Sequence, residues 1–508
     1  PFDLVLAGRN SVDAETGQVG PQVAELLDLP FATAVKRLEV DPDGRTVQVA
    51  CELDDEWVEL TVTMPAVLST AERLIDPVKI KDPAAWVGVD RGRVERMDAR
   101  SLGPGPWGQA GSETWVGEVQ VEPTTRRRQT LAGPVADQVE IVVRALADAG
   151  LLGGPGEAGP AASGAPVPSA CAVTAGQPVV GVLVEPGRQR IARELFGAAA
   201  ELAHELEGRV VAIGPWLLTP EPVSSAVTTV LASWGADELI VLEPTSSDPT
   251  AAVPLAEEDV ASAVAAWAAR TEPAVVLAPG TAWGREVAGR VAARLGAGLT
   301  GDATAMELEA GRLVAWKPAF GGAMLAAVRS RSISQLVTVR AGVLPAPVPR
   351  VGPAIPPTIV RVQPRGRVRV RARRRDDDLE VLAAASRVLA VGRGVAPADY
   401  PQLEGLRRRL GAELAATRKV TDEGWLPHSR QVGITGLSLA PELAVVIGAS
   451  GKFNHMVGFR RAGLIVAVNP DPAAPVFEFA DYGVVGDWRE VVPELERRLA
   501  GTRQGTSG

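Results

Sequence analysis

From Val179 onward the chain reads as short, nearly unbroken apolar runs separated by longer stretches with a helical repeat. The runs are VVGVLVE (179–185), RVVAIG (209–214), ELIVLEP (238–244) and AVVLAPG (274–280). Strands that are apolar on both faces belong to parallel sheets covered by helices on each side. After the last of them, Val287, Val291 and Leu295 repeat at i, i+4 with Ala288 and Ala292 beside them, giving one apolar helix face. Residues 179–345 are therefore expected to form a doubly wound, parallel-sheet α/β domain. The alternation returns in VLAVG (388–392), GAELAATR (411–418), LAVVIGASG (443–451), LIVAV (464–468) and YGVVGD (482–487). It predicts a second α/β domain over 381–500, with 501–508 as a disordered tail.

Residues 1–150 carry a different pattern. A strand Phe2–Ala7 leads through a turn, Asp13–Pro21, to a helical stretch, Gln22–Leu27. Alternating segments follow, RTVQVACEL (45–53) and WVELTVTM (57–64), with turn chemistry in DPDG (41–44) and DDE (54–56). A helical pattern, Val135–Leu146, is expected to close this block. Residues 151–178 are rich in Gly, Pro, Ala and Ser and have no period, which marks a flexible linker. A linker of this kind reaches on the order of 25 Å and suits a gene-fusion junction. In the connecting segment 346–380, Val368 and Val370 alternate with arginines within RGRVRVRARRRDDD. This reads as a strand with a solvated or salt-bridging charged face; the alternative is a phosphate or partner patch.

The length, 508 residues, suits about three domains. A net charge of −9 argues against a nucleic-acid binder, which needs a basic footprint. Two cysteines, Cys51 and Cys171, are too few for a disulfide scaffold and suit the cytoplasm. Three scattered histidines (His204, His428, His455) argue against a metal site. No apolar run approaches the length of about 18 residues that spans a bilayer, so no membrane insertion is expected. The chain opens on Pro1 rather than Met, which reads as a fragment or processed product.

Candidate chemistry gathers between Arg393 and Asp487. The segment LAVVIGASGKFNHMVG is a buried strand, a tight turn and a helix start. Gly448 and Gly451 permit close backbone approach, Ser450 offers a hydroxyl, and the following helix start favours an anion such as pyrophosphate; a purely structural turn is the alternative. Asn469 ends a second strand, where ligands of open α/β sheets sit, or else forms a turn with Pro470 and Asp471. Asp487 can hold a ribose hydroxyl or cap the helix expected at Arg489–Leu499. Arg393 lies between two glycines after a strand, and Thr417 and Arg418 end another. A cation held at a strand end suits phosphate or an electron-rich ring.

Together GRGV, ATRKVTDEGW, RQVGITG, LAPEL, IGASGKFNHMVG and VAVNPDPAAPVFEFADYGVVGDW resemble the FAD-binding domain of the electron transfer flavoprotein alpha subunit, over 385–498. Residues 275–344 resemble that subunit's first domain. Residues 1–150, through GRNSVDAETGQVGPQVAELLDLP (8–30) and MPAVLSTAERLIDP (64–77), resemble the C-terminal part of the beta subunit. The resemblance implies a fused beta–alpha chain with adenine-nucleotide-alpha-hydrolase-like first domains and a Rossmann-like FAD domain. It implies that Thr417 and Arg418 meet the FAD diphosphate and flavin ring, and that Thr435, within Gln431, Val432, Gly433 and the rest of RQVGITG, lies near flavin N5. Ser450 and Asn454 match positions by the ribityl–pyrophosphate chain, and His455 the histidine by the flavin C2 carbonyl. Asn469 and Asp487 match residues at the adenosine end, and Arg393 the arginine of the GRG turn. Arg418 and His455 would stabilise the charge of the reduced flavin. Asp13, Thr16, Gln18, Val19 and Gly20 match a nucleotide loop that holds AMP, or a second FAD in bifurcating members.

Two departures stand out. Ile434 replaces the usual glutamine, and IDPVKIKDPAAWVGVDRGRVERM replaces the family's docking segment. About 100 residues that precede this region in the beta subunit have no counterpart here. The implied function is electron carriage from a flavin dehydrogenase, of the acyl-CoA dehydrogenase type, to a quinone oxidoreductase or other acceptor. The alternatives are a bifurcating protein with a second FAD and NADH as donor, and a redox-inactive nucleotide-binding protein.

Overall fold

The computed structural model describes residues 2–11, 14, 16–71, 74–75, 90, 92, 95–121, 126–152, 166–168, 176–215, 225–245, 254–320, 324–375, 379–433 and 436–502. Most of the expected linker and of the altered docking segment, Asp13, Ile434 and Thr435 lie outside these residues. The doubly wound α/β class read from the sequence is present.

The central sheet has seven strands in the order Leu299–Ala303, Gln335–Val339, Val275–Pro279, Val179–Leu183, Arg209–Pro215, Glu238–Pro244 and Pro357–Val362, each pair parallel. Helices cover both of its faces, as its apolar strands require. The C-terminal sheet has six parallel strands in the order Glu413–Ala416, Arg387–Val391, Leu443–Ile447, Leu464–Asn469, Tyr482–Val485 and Gln129–Thr130.

The last of those strands departs from the expected block structure. Residues 129–148 do not close the N-terminal block; they complete the C-terminal domain. Val139, Val142, Val143 and Leu146 on the helix Val135–Asp148 bury their side chains with Val491, Val492 and Leu495 of the helix Trp488–Thr502. Each buried side chain of this size contributes about 1.5–3 kcal/mol, so the helix goes where an apolar face awaits cover. Arg126 fixes the segment's start, donating to the carbonyls of Arg460 (2.8 Å) and Ala462 (2.7 Å) and pairing with Asp481 at 3.0 Å.

Two further strands cross between parts of the chain. Val368–Arg375 pairs antiparallel with Glu56–Thr63, extending the N-terminal sheet. Thr114–Val121 pairs antiparallel with Met324–Ser330 in a small four-stranded sheet. The connecting segment is thus sheet, and its arginines form salt bridges: Arg367 with Glu258 at 2.6 Å and Arg365 with Asp28 at 2.6 Å. Within the linker, Val167 bonds to the Val348 carbonyl at 3.1 Å.

The N-terminal sheet repeats part of the central unit. Strand Leu4–Gly8, helix Val19–Leu26, strand Phe31–Val40, hairpin Thr46–Glu52/Glu56–Thr63 and strand Ala66–Thr70 form one copy. Val275–Pro279, Ala282–Leu295, Leu299–Ala303 with Ala305–Glu309, Arg312–Ala319/Met324–Ser330 and Gln335–Val339 form the other. Both copies break register at the same place, between Ala32 and Val35 and between Thr300 and Ala303. Each break holds a residue with left-handed backbone, Ala34 (φ 53°) and Asp302 (φ 63°). The neighbouring strand's hydroxyl accepts that residue's N–H in each, Ser69 Oγ at 3.1 Å and Thr338 Oγ1 at 2.8 Å.

Candidate functional site

In the C-terminal sheet, strand Arg387–Val391 is flanked by the next strand in sequence on one side and by Leu443–Ile447 on the other. Strand order reverses there, and the carboxyl ends of strands at such a point form the ligand crevice of an open α/β sheet. Register sets Val391 beside Ala416 and Ile447, Ile447 beside Val468, and Val468 beside Val484. One step further along, Gly392, Thr417, Gly448, Asn469 and Val485 lie in line across the sheet's edge. The loops bearing the candidate residues start from that line.

Glycine lets two of these loops touch backbone to backbone. The Gly394 N–H donates to the Gly448 carbonyl at 2.9 Å, and a Cβ on Gly392 would lie 2.3 Å from the same oxygen. Gly451 has φ +73°, and a Cβ there would lie 2.1 Å from Val476 Cα. No other residue fits that position without displacing the backbone.

The side chains divide into those that face outward and those that hold the loops. Arg393 and Ser450 are exposed, and the Arg418 side chain is 46% exposed, 3.5 Å from Asp422. Thr417 starts the helix Arg418–Asp422 without using its hydroxyl as a cap. Asn469 turns inward: its Nδ2 donates to the Ala449 carbonyl and its Oδ1 accepts the Asp471 N–H, both at 2.9 Å. It braces the Gly448–Gly451 loop rather than reaching past it. Asp487 accepts the Arg489 N–H at 2.8 Å, the capping alternative. Gln431 is buried and accepts a hydrogen bond from Thr421 Oγ1 at 2.6 Å. Val432 and Gly433 form the buried loop beside it, and Asn454 lies in the helical turn Phe453–Met456.

His455 is buried, edge-on to Phe459. Its Nδ1 lies 2.8 Å from the Val432 carbonyl, which can only accept, so Nδ1 carries the proton. Burial pushes its pKa down to about 4 against the pull of that carbonyl. The ring is therefore neutral near pH 7, and Nε2, which has no hydrogen-bond partner among the described residues, is an acceptor. Of Arg418 and His455, the arginine is thus the cation and the imidazole is neutral. Burial, invisible in the motif, is the reason.

Donors along the edge (Arg393, Arg418 and Ser450 exposed, Thr417 half-buried), glycine loops open to close approach and a buried His455 nitrogen without a partner among the described residues fit an FAD diphosphate and ring. The second expected nucleotide loop leads into the helix Val19–Leu26. Gly17 there has φ +62°, Gln18 Oε1 is buried without a partner among the described residues, and Val19 is exposed. Thr16 packs on Gly301, Gly20 on the Phe31 ring, and Lys317 Nζ donates to the Ala14 carbonyl at 2.5 Å. A small cleft adjoins it, lined by Arg9, Asn10, Gly17, Thr33 and Arg285 among others.

One buried charge cluster has no motif in the sequence. The DDE turn, read only as a turn, carries Asp54 and Asp55 into the central sheet. Asp55 forms a two-point pair with Arg188 (Nη1 at 2.6 Å) and meets Arg375 at 3.2 Å. Burial pushes Glu185 up to about 7 despite Arg188 beside it. A carboxylate pair in a turn gives no sequence signal for its destination.

The chain matches the electron transfer flavoprotein domain model over residues 1–101 and 180–365, and the electron transfer flavoprotein FAD-binding domain model over 381–460. It is 34% identical over 314 residues to the electron transfer flavoprotein subunit alpha of Mycobacterium leprae, spanning 61% of this chain and 94% of that protein. The subunit alpha of Thermoanaerobacterium thermosaccharolyticum is 34% identical over 314 residues, 60% of this chain and 92% of that one. Protein FixB of Clostridium saccharobutylicum is 31% identical over 319 residues, 60% and 91%. Among the described residues, no helix is long and apolar enough to cross a membrane.

Proposed function

The chain belongs to the electron transfer flavoprotein family, and from that premise we propose that it carries one FAD on its C-terminal sheet and shuttles electrons between protein partners. The donor is a flavin dehydrogenase of the acyl-CoA dehydrogenase type, and the acceptor a quinone oxidoreductase or similar protein. The observation that carries the reading is the line Gly392, Thr417, Gly448, Asn469 and Val485, from which exposed donors project at a strand-order reversal.

Arg393, Thr417, Arg418 and Ser450 would hold the diphosphate, and Asp487 a ribose hydroxyl. Asn469 and Gln431 hold the loops beneath them. The bound flavin supplies reversible electron uptake. Arg418 supplies the positive charge that favours its reduced form, while neutral His455 supplies none. Residues 1–152 act as the beta-type half of a fused chain. The match of one domain model to both 1–101 and 180–365 supports this, as does the repeated unit. The cleft beside Gly17 and Gln18 is the place for an AMP.

The test is reconstitution with FAD followed by reduction with a reduced acyl-CoA dehydrogenase. A yellow protein bleached by the dehydrogenase and reoxidised by a quinone reductase is expected. A protein that stays colourless after reconstitution contradicts the proposal.

A further inference from the structure

The repeated unit provides two comparable crevices, and the chain treats them differently. In the central sheet strand order reverses between Val275–Pro279 and Val179–Leu183. The crevice at their carboxyl ends is bounded by Glu185 and Arg188 on one side and by the start of the helix Ala282–Leu295 on the other. The turn joining Thr46–Glu52 to Glu56–Thr63 enters it from the N-terminal sheet.

Asp54 Oδ2 accepts the Ala282 N–H at 2.7 Å, at the helix start, and its other oxygen lies 3.5 Å from Arg9. Asp55 takes the Arg188 guanidinium through two hydrogen bonds, with side chains 0% and 5% exposed. Arg188 is held firmly charged: burial opposes the charge, and Asp55 and Glu185 outweigh it. Thr281 caps the helix by accepting the Gly284 N–H at 3.1 Å and donates to Glu185 at 2.5 Å. A two-point guanidinium and a helix-start N–H are groups that bind phosphate. Here two adjacent carboxylates of the protein occupy them, Asp55 the guanidinium and Asp54 the N–H.

The matching turn of the other copy, between Arg312–Ala319 and Met324–Ser330, reads Phe320-Gly321-Gly322-Ala323 and has no carboxylate to offer.

We propose that the Asp54–Asp55 turn is an internal phosphate mimic that closes the strand-order crevice of the central sheet, leaving a phosphate-bearing ligand no place there and locking the N-terminal hairpin onto that sheet. The FAD assignment is not involved, because the crevice is bounded by the central sheet and the N-terminal hairpin. The contact is between two parts of one chain, so the mimic is present at unit occupancy and needs no free ligand.

The test uses the full FAD-loaded chain and inorganic phosphate, titrated calorimetrically at constant ionic strength. The wild type should bind no phosphate in the central sheet. Asp54→Ala frees the Ala282 N–H and Arg9 while the Asp55–Arg188 pair keeps the hairpin seated, and should bind phosphate at least about tenfold more tightly than any binding the wild type shows. Asp54→Ala/Asp55→Ala should lose thermal stability and regain part of it with phosphate, while the isosteric Asp54→Asn/Asp55→Asn should not regain it. If the double alanine variant does not fold, the single variant's titration decides alone. Equal phosphate binding by wild type and Asp54→Ala would overturn the proposal. Flavin absorbance is the separate readout: its loss in wild type strikes the FAD reading and leaves this one standing.

Discussion

The central and C-terminal sheets are the same kind of object with opposite endings. Both are parallel, helix-covered and reverse their strand order in mid-sheet. At the reversal in the central sheet, buried charge from another part of the chain fills the crevice: Asp55 on Arg188, Asp54 on the helix start. In the C-terminal sheet, glycines thin the loops and leave Arg393 and Arg418 outward. Ligand capacity in this fold is thus decided by what sits beyond the last strand residue, rather than by the sheet.

The largest effect should come from unpairing the buried charge. Asp55→Ala leaves Arg188 without its two-point partner in a dry site, a loss of about 3–5 kcal/mol in denaturant unfolding. Replacing the pair with apolar residues of like volume should recover most of it. On the other sheet, Gly451→Ala forces a Cβ against Val476 in a left-handed turn. It should cost about 2–4 kcal/mol and release the flavin, read by retained visible absorbance. A full loss of flavin in Asp55→Ala, with retention in Gly451→Ala, would invert the comparison.

Acid and base should then act on the two sheets in opposite directions. His455 has its folded pKa depressed to about 4, from 6.5. The C-terminal domain therefore keeps this contribution above pH 6.5 and loses it as pH falls from 6.5 through 4. Glu185 is raised to about 7 and Glu286 to about 8, both chiefly by burial, from 4.5. Their contribution is greatest below pH 4.5 and is lost as pH rises through 7–8. Hydrogen exchange at pH 5 and pH 8 should show amides of Leu443–Ile447 opening faster in acid and those of Val179–Leu183 faster in base, by up to about 2–3 kcal/mol.

The smallest effect expected is electrostatic. Arg418→Ala should lower the flavin potential and weaken FAD binding by about 1–2 kcal/mol, because its side chain is half exposed. An unchanged potential in a redox titration removes Arg418 from the ring.

Much of this was legible in the chain. Continuous apolar runs gave the parallel strands, and the alternating pair around the DDE turn gave the hairpin Thr46–Glu52/Glu56–Thr63. Pattern fixes a strand's period but not its partner. So Val368–Arg375 reads as a strand without its partner and the helix Val135–Asp148 as part of the N-terminal block, whereas the first joins the N-terminal sheet and the second covers the C-terminal one. At the site, residue type located the strand ends but not the direction of each side chain. Asn469 spends both ends of its amide on the loop, and His455 loses its charge to burial. Neither fact has a signature in one sequence.

The central claim is that the open sheet, not the plugged one, takes the flavin. The direct measurement is bound FAD per chain after reconstitution and removal of free flavin, for the wild type, Gly451→Ala and Asp54→Asn/Asp55→Asn. The account predicts one FAD per chain in the wild type and in the asparagine variant, and none in Gly451→Ala. A wild type without flavin, or flavin that survives Gly451→Ala and disappears with the two aspartates, would contradict it.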